Sequence, residues 1–347
     1  MTIYDELPAI YRIKRAQTDV DCIANEFYEA SLDLDPVLAT EHGRTGVETL
    51  FGDYSPAGEE AYAKLVKKTL KKLDKVIPID DTDLVTLDAM QERLTLTRQM
   101  RRAGLGRWQL NNIFSAPQQI RTSFDLMSRE NERDWAHIAG RLANVPGAID
   151  GFIQTLEAAR AEGKVSPRRQ VQIVIEQAEA YIADGGFFDA LAAEITAAAP
   201  AITEQAREGA QAAKDGYRAL ITYLRDTLLP EAPSKDAVGR ELYTLYSRES
   251  LGASIDLDET YAWGVQELER IITEQHTVAS EIEPGASIER AKELLDMDPV
   301  RALHGTEALR EWMQRTADEA IAAIDGKYFT LDPRVRAIEG MIAPSAT

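Results

Sequence analysis

Along nearly the whole chain apolar residues recur every three or four positions, and that single periodicity leaves room for little but helices. Over residues 57 to 76 it places Tyr62, Leu65, Val66, Thr69, Leu73, Val76 and Ile77 on one face, until Pro78 and Asp80-Asp81 end the run. Ser166-Pro167 opens another run with a capping hydroxyl and a proline in the first turn, and Val171, Val174, Ile175, Ala178 and Ile182 follow on one stripe as far as Gly185-Gly186. A third run, opened by Pro200 and closed by Pro230, is longer than an ordinary helix. The same pattern predicts helices at 19 to 34, 81 to 104, 129 to 143, 145 to 162, 234 to 248, 257 to 280 and 305 to 325. The fold class is therefore mainly α, made of long packed helices.

The exception stands at the end. Tyr328 to Ser345 reads as strand-like, with an edge strand expected over 335 to 342, and a strand needs partners for its backbone donors and acceptors. Nothing preceding it resembles a partner, so the segment is expected to pair with polypeptide outside this sequence. The loops between helices are short and none has the composition of a linker. The expectation is one helical domain over residues 1 to 347, with Pro230 marking where a seam would fall.

Composition narrows the function classes. The 347 residues are 44% hydrophobic and 28% charged, as in an ordinary folded protein, and carry a formal net charge of −19. That field repels phosphate backbones and anionic headgroups, so neither nucleic acid nor membrane is expected as a partner. The lysines at 64, 67, 68, 71, 72 and 75 read as the solvated face of a helix. The lone cysteine, Cys22, has no sequence neighbour to activate it and is expected to be a small core residue. Residues 1 to 8 have neither a basic start nor an apolar stretch, and a cytoplasmic location is expected.

No catalytic constellation is legible. His42, His137, His276 and His304 share no helical-turn spacing, and no paired-cysteine or Walker pattern occurs, so no metal ligand and no cofactor is assigned in this chain. Gly104-Leu105-Gly106 stops short of a phosphate loop, and Gly252-Ala253-Ser254 lacks the closing glycine of a nucleophile elbow. The suggestive residues are amides and aromatics. Leu110 to Arg121 reads as a polar, proline-broken loop that can aim groups from a rigid frame, and Tyr243 to Tyr246 and Tyr261 to Trp263 can line a peptide groove. The candidate substrate-binding residues are Asn111, Asn112, Arg121, Tyr243, Tyr261 and Trp263, with Arg121 assigned to a peptide carboxylate.

Several segments together resemble domain-of-unknown-function family 885, bacterial proteins similar in fold to helical zinc carboxypeptidases and oligopeptidases. They are Asp35 to Thr40, Ser115 to Arg121 with Phe124 to Met127, Gly239 to Tyr243, Ile255 to Gly264, and the terminal segment from Tyr328. The resemblance implies that a histidine and glutamate zinc motif follows the terminal segment, so zinc belongs to a part absent from this sequence and no catalytic residue carries over. It implies the N-terminal, substrate-cleft half of a zinc metallopeptidase-like protein acting on peptides, catalytically incomplete as it stands. The alternative is a non-catalytic helical scaffold that binds peptides or proteins. Either way peptides are the expected ligands, and the exposed C-terminal region is expected to drive association into a homodimer.

Overall fold

The computed structural model describes residues 15–342, and the N-terminal stretch read above and the last residues of the terminal segment lie outside them. The chain falls into two compact units, the first extending to Ser254 and the second beginning at Ile255.

In the first unit the sequence stops and starts helices by caps. Thr18 and Asp21 form a capping box at the head of α1 (Asp19–Leu34), and Asp35 Oδ1 accepts from Val37 and Leu38 N–H, both at 3.2 Å, to open the short α2 (Pro36–Glu41). Ser55 caps α3 (Pro56–Leu73) and Asp80 caps α4 (Asp81–Arg102). Val66, Leu70, Leu73 and Leu94 make a small core between these helices, against which Ile23 and Phe27 of α1 pack. Cys22 is exposed rather than buried, because Ile23 and Phe27 take α1's contact with that core.

The larger core lies among α6 (Glu132–Ala161), α7 (Arg168–Ile182), α8 (Phe187–Ala198) and α9 (Thr203–Tyr223). Phe152, Phe188 and Tyr217 are fully buried in it, each contributing about 1.5–3 kcal/mol by leaving water. Helices α6 and α9 approach closely where α9 carries no side chain: a Cβ on Gly209 would lie 3.0 Å from the Ala139 carbonyl oxygen, and one on Gly216 3.1 Å from Pro146 Cα. This contact explains why α6 is one helix across Pro146 where two were expected. The proline costs one backbone hydrogen bond, and burial on both sides of it outweighs that loss. The run from Pro200 continues through α9, a π turn at Leu224–Leu228 and a final turn, α10 (Leu229–Glu231). Pro230 is followed by chain still bound to this unit, since Arg168 N–H donates to the Pro233 carbonyl at 2.8 Å.

Within the expected loop at 110 to 121, residues 116 to 122 are helical instead: α5 (Ala116–Thr122) takes Pro117 in its first turn, where a missing N–H costs nothing. The last helix of the unit, α11 (Arg240–Leu251), buries none of its residues. It docks on α4 by polar groups, with Arg248 forked onto Glu92 and Arg93 donating to the Glu249 carbonyl at 2.6 Å.

The second unit holds α12 (Leu257–Ile282), α13 (Ile288–Met297), which the periodicity did not single out, and α14 (Thr306–Ile324). Among its described residues only Ala279 and Ala291 are buried, while Ile271, Val278, Trp312, Met313 and Phe329 are exposed. The edge strand expected over 335 to 342 is not formed. No neighbouring strand is present among the described residues, so the backbone has nothing to build a ladder with. The Gln314 side chain takes that place: its Nε2 donates to the Ile338 carbonyl at 2.7 Å and its Oε1 accepts from Gly340 N–H at 2.8 Å.

So much exposed apolar surface predicts that the native chain brightens an environment-sensitive hydrophobic dye and elutes as a dimer or larger species by light scattering. A dye-negative monomer would show that these side chains are covered in solution.

Candidate functional site

Asp35 and the stretch Ser115 to Gln119, from two of the family-like segments, meet in the first unit around a polar cleft of about 290 Å³. Its walls come from the end of α1, the loops at 52 to 54 and 106 to 111, and the start of α5. The residues lining it include Asp35, Arg107, Tyr54 and Gln119.

Asp35, Arg107 and Tyr54 are held in place by their neighbours. Asp35 Oδ1 is committed to capping α2. Arg107 donates from Nη1 to the Asp53 carbonyl at 3.1 Å, its Nε lies 3.1 Å from Glu59, and its guanidinium carbon sits 5.2 Å from the Tyr54 ring centre. Tyr54 is buried, and burial, reinforced by the Asp35 charge, raises its hydroxyl pKa to about 12 against the opposing pull of Arg107 and Arg141. It therefore keeps its proton at neutral pH and offers a donor.

The floor is fixed by a relay of amides. Ser115 Oγ donates to Gln118 Oε1 at 2.5 Å, Gln118 Nε2 donates to Gln177 Oε1 at 2.7 Å and to the Asn111 carbonyl at 3.0 Å, and Gln177 Nε2 donates to the Asn112 carbonyl at 2.9 Å. Ser166 Oγ accepts from Leu110 N–H at 2.9 Å. Four buried or half-buried side chains thus pin the loop at 110 to 115, Ser115 and Gln118 from the start of α5, Gln177 from α7 and Ser166 from the turn before it.

A second cleft of about 550 Å³ adjoins the first and shares Leu34, Asp35 and Arg107 with it. Its other walls are Phe27, Tyr28, Leu32, Leu38, Ala61 and Tyr62, with His42 at 2.8 Å from the Tyr28 hydroxyl.

The expected substrate-binding residues fare unevenly. Asn111 lines the polar cleft, but its Oδ1 accepts from Ile113 N–H at 2.8 Å and its Nδ2 donates to the Phe114 carbonyl at 2.9 Å, so its side chain shapes the loop. Asn112 is exposed and contributes its carbonyl to the relay. Arg121 does not face the cleft. It is buried, ion-paired with Asp125 one helical turn on, and stacked 4.1 Å over the Phe187 ring, because α5 turns that position toward the core. Tyr243 is 56% exposed on α11, and its neighbour Tyr246 accepts from Gln109 Nε2. Tyr261 and Trp263 lie in the second unit on α12, 76% and 61% exposed.

Asp35, Tyr54, Arg107 and Gln119 were not among the sequence candidates. All four sit in or within a step of a sequence signal: Asp35 and Gln119 in family-like segments, Arg107 beside Gly106, and Tyr54 in the short loop between Gly52 and Pro56. What was missing was the tertiary contact that gathers them.

The described residues do not fit a zinc site. No three histidine, cysteine, aspartate or glutamate side chains among them come together in a way that can hold a metal ion. No helix among them is long and apolar enough to cross a membrane.

Two solved structures share the fold. One is described as a "putative lipoprotein" of Colwellia psychrerythraea, with a TM-score of 0.67 at 14% identity over 89% of this chain and 59% of that one. The other, a "putative lipoprotein of unknown function" of Shewanella oneidensis, gives a TM-score of 0.60 at 15% identity over 92% of this chain and 59% of that one. The chain thus spans about three fifths of the length of each. No curated protein matches it. A family model of bacterial proteins of unknown function covers residues 36–347, and the chain belongs to that family, DUF885.

Proposed function

We propose that this chain is the substrate-cleft portion of a helical zinc metallopeptidase-like protein, that the cleft at Asp35 and Arg107 binds short peptides, and that the chain by itself does not hydrolyse them. The observation that carries the reading is the rigid polar cleft, which sets a cation, an anion, a protonated phenol and an amide around one space. A short peptide presents the complements of all four: a carboxylate, an ammonium, carbonyls and N–H groups. Two further features support a larger whole. The second unit leaves its apolar faces uncovered, and the solved neighbours are longer than this chain. The same cleft serves a second reading, a scaffold for which peptide binding is the end of the function.

Calorimetric titration with short peptides tests the shared part. Arg107→Ala is expected to weaken binding about tenfold, the worth of roughly 1.5 kcal/mol for a charge-assisted contact, with Arg107→Lys recovering only part of it. Equal affinity in parent and Arg107→Ala, with both folded, would remove the cleft from the account. Product analysis tests the other shared expectation, since release of amino acids by the purified chain would contradict both readings.

A further inference from the structure

The two clefts meet at a partition. Leu34, Asp35 and Arg107 line both, so a ligand bound against the charged pair on the polar side lies next to the entrance of the larger space. The chemistry changes sharply across that line. On one side stand amides, a phenol and backbone; on the other the walls are mainly apolar, with Phe27, Leu32, Leu38 and Ala61 beside the Tyr28 and Tyr62 rings and a rim of Ser31, His42 and Asp53.

Helix α3 lines the larger space with Gly58, Ala61 and Tyr62. Gly58 cannot carry a side chain, since a Cβ there would lie 1.9 Å from the Asp53 carbonyl oxygen, and Ala61, one turn on, offers only a methyl. That carbonyl also receives Arg107 at 3.1 Å. The close approach that requires glycine at 58 thus holds the carbonyl that receives the cation at the partition. A space of about 550 Å³ with apolar walls, beside a polar cleft of about 290 Å³, is shaped for one bulky side chain whose backbone stays on the polar side.

We infer that the apolar chamber beneath α3 is a specificity pocket that selects peptides bearing a large apolar or aromatic residue, with the flanking backbone held at Asp35 and Arg107. The inference rests on the peptide-cleft reading and adds the side-chain class. It differs from that reading in what it forbids: a peptide of small residues fills the polar cleft and leaves the chamber vacant.

The test compares two tripeptides of equal charge and backbone, alanyl-phenylalanyl-alanine and trialanine, by calorimetry on the whole chain. Burial of a phenyl ring predicts tighter binding of the first by roughly 10- to 100-fold. Ala61→Phe, which places a ring in the chamber, is expected to bring that ratio toward one. Equal affinities for the two peptides on the parent chain would overturn the inference and leave the peptide cleft standing. A ratio that persists in a folded Ala61→Phe would also overturn it, because the preference would arise elsewhere. Failure of both peptides to bind would remove the peptide reading and the inference together. The comparison on the parent chain decides the matter even if the variant does not fold.

Discussion

Replacing Arg141 by methionine is expected to make the protein more stable, by about 3 kcal/mol in urea unfolding at neutral pH. The guanidinium is fully buried on α6, donates to Thr40 Oγ1 at 2.8 Å, lies 5.7 Å from the Phe51 ring centre, and leaves its Nε without a hydrogen-bond partner. No carboxylate among the described residues is within ion-pair distance. Burial lowers its pKa to about 10, against the more distant pull of Glu48, Tyr54 and Asp35. Methionine keeps much of the volume and removes the charge, and Thr40 keeps its own bond to the Pro36 carbonyl. The unfolded chain holds the arginine proton more tightly than the folded one, so the penalty is full below about pH 10 and eases as the pH rises beyond it. The gain from the substitution should accordingly shrink above pH 10. Tyr54 works in the opposite sense: its raised pKa supplies stability that is full below its ordinary value and is lost as the pH climbs through about 12. The variant, deprived of the compensating group, should weaken more steeply than the parent in alkali. A less stable Arg141→Met at neutral pH would mean that the guanidinium is paid for by contacts not described above.

Gly58→Ala is expected to cost about 2–3 kcal/mol, although alanine is the better helix former by up to about 1 kcal/mol. The added methyl meets the Asp53 carbonyl oxygen at 1.9 Å and its carbon at 2.8 Å, and both are backbone, so the loop at 52 to 55 has to move. Because that carbonyl receives Arg107, peptide affinity should fall together with stability. Urea unfolding and calorimetry on one preparation give both numbers. A variant as stable as the parent would show that the loop yields freely, and that Arg107 is not fixed as described.

Much of the helical frame could be read from sequence because it is governed by local signals. Helix α1 matches the expected 19 to 34, and α3, α4, α12 and α14 depart from expectation by three residues or fewer at each end. The misses occur where a distant contact outvotes a local one. The break expected between 143 and 145 does not occur, and Pro146 just after it is absorbed by packing against Gly216. Pro117 looked like a loop and begins α5. Arg121 looked available on a polar segment, and the turn of α5 aims it at Phe187. The site was less legible still, since Asp35, Tyr54, Arg107 and Gln119 are spread over 85 positions of sequence and share no spacing rule. Even the segments that carry the family resemblance announced where to look without saying which atoms face the cleft.

The uneven burial of the two units bears on how the protein is made. Every residue of the principal core lies between Tyr54 and Ala232, whereas Ile255 onward adds almost nothing buried. A ribosome delivers chain from the N-terminus at about 5–20 residues per second. The residues that close the core are therefore all synthesised before the second unit is begun, and the first can collapse while the second is still being translated. The helices from Ile255 onward emerge after that core is complete, and with only Ala279 and Ala291 buried among their described residues they take no part in forming it.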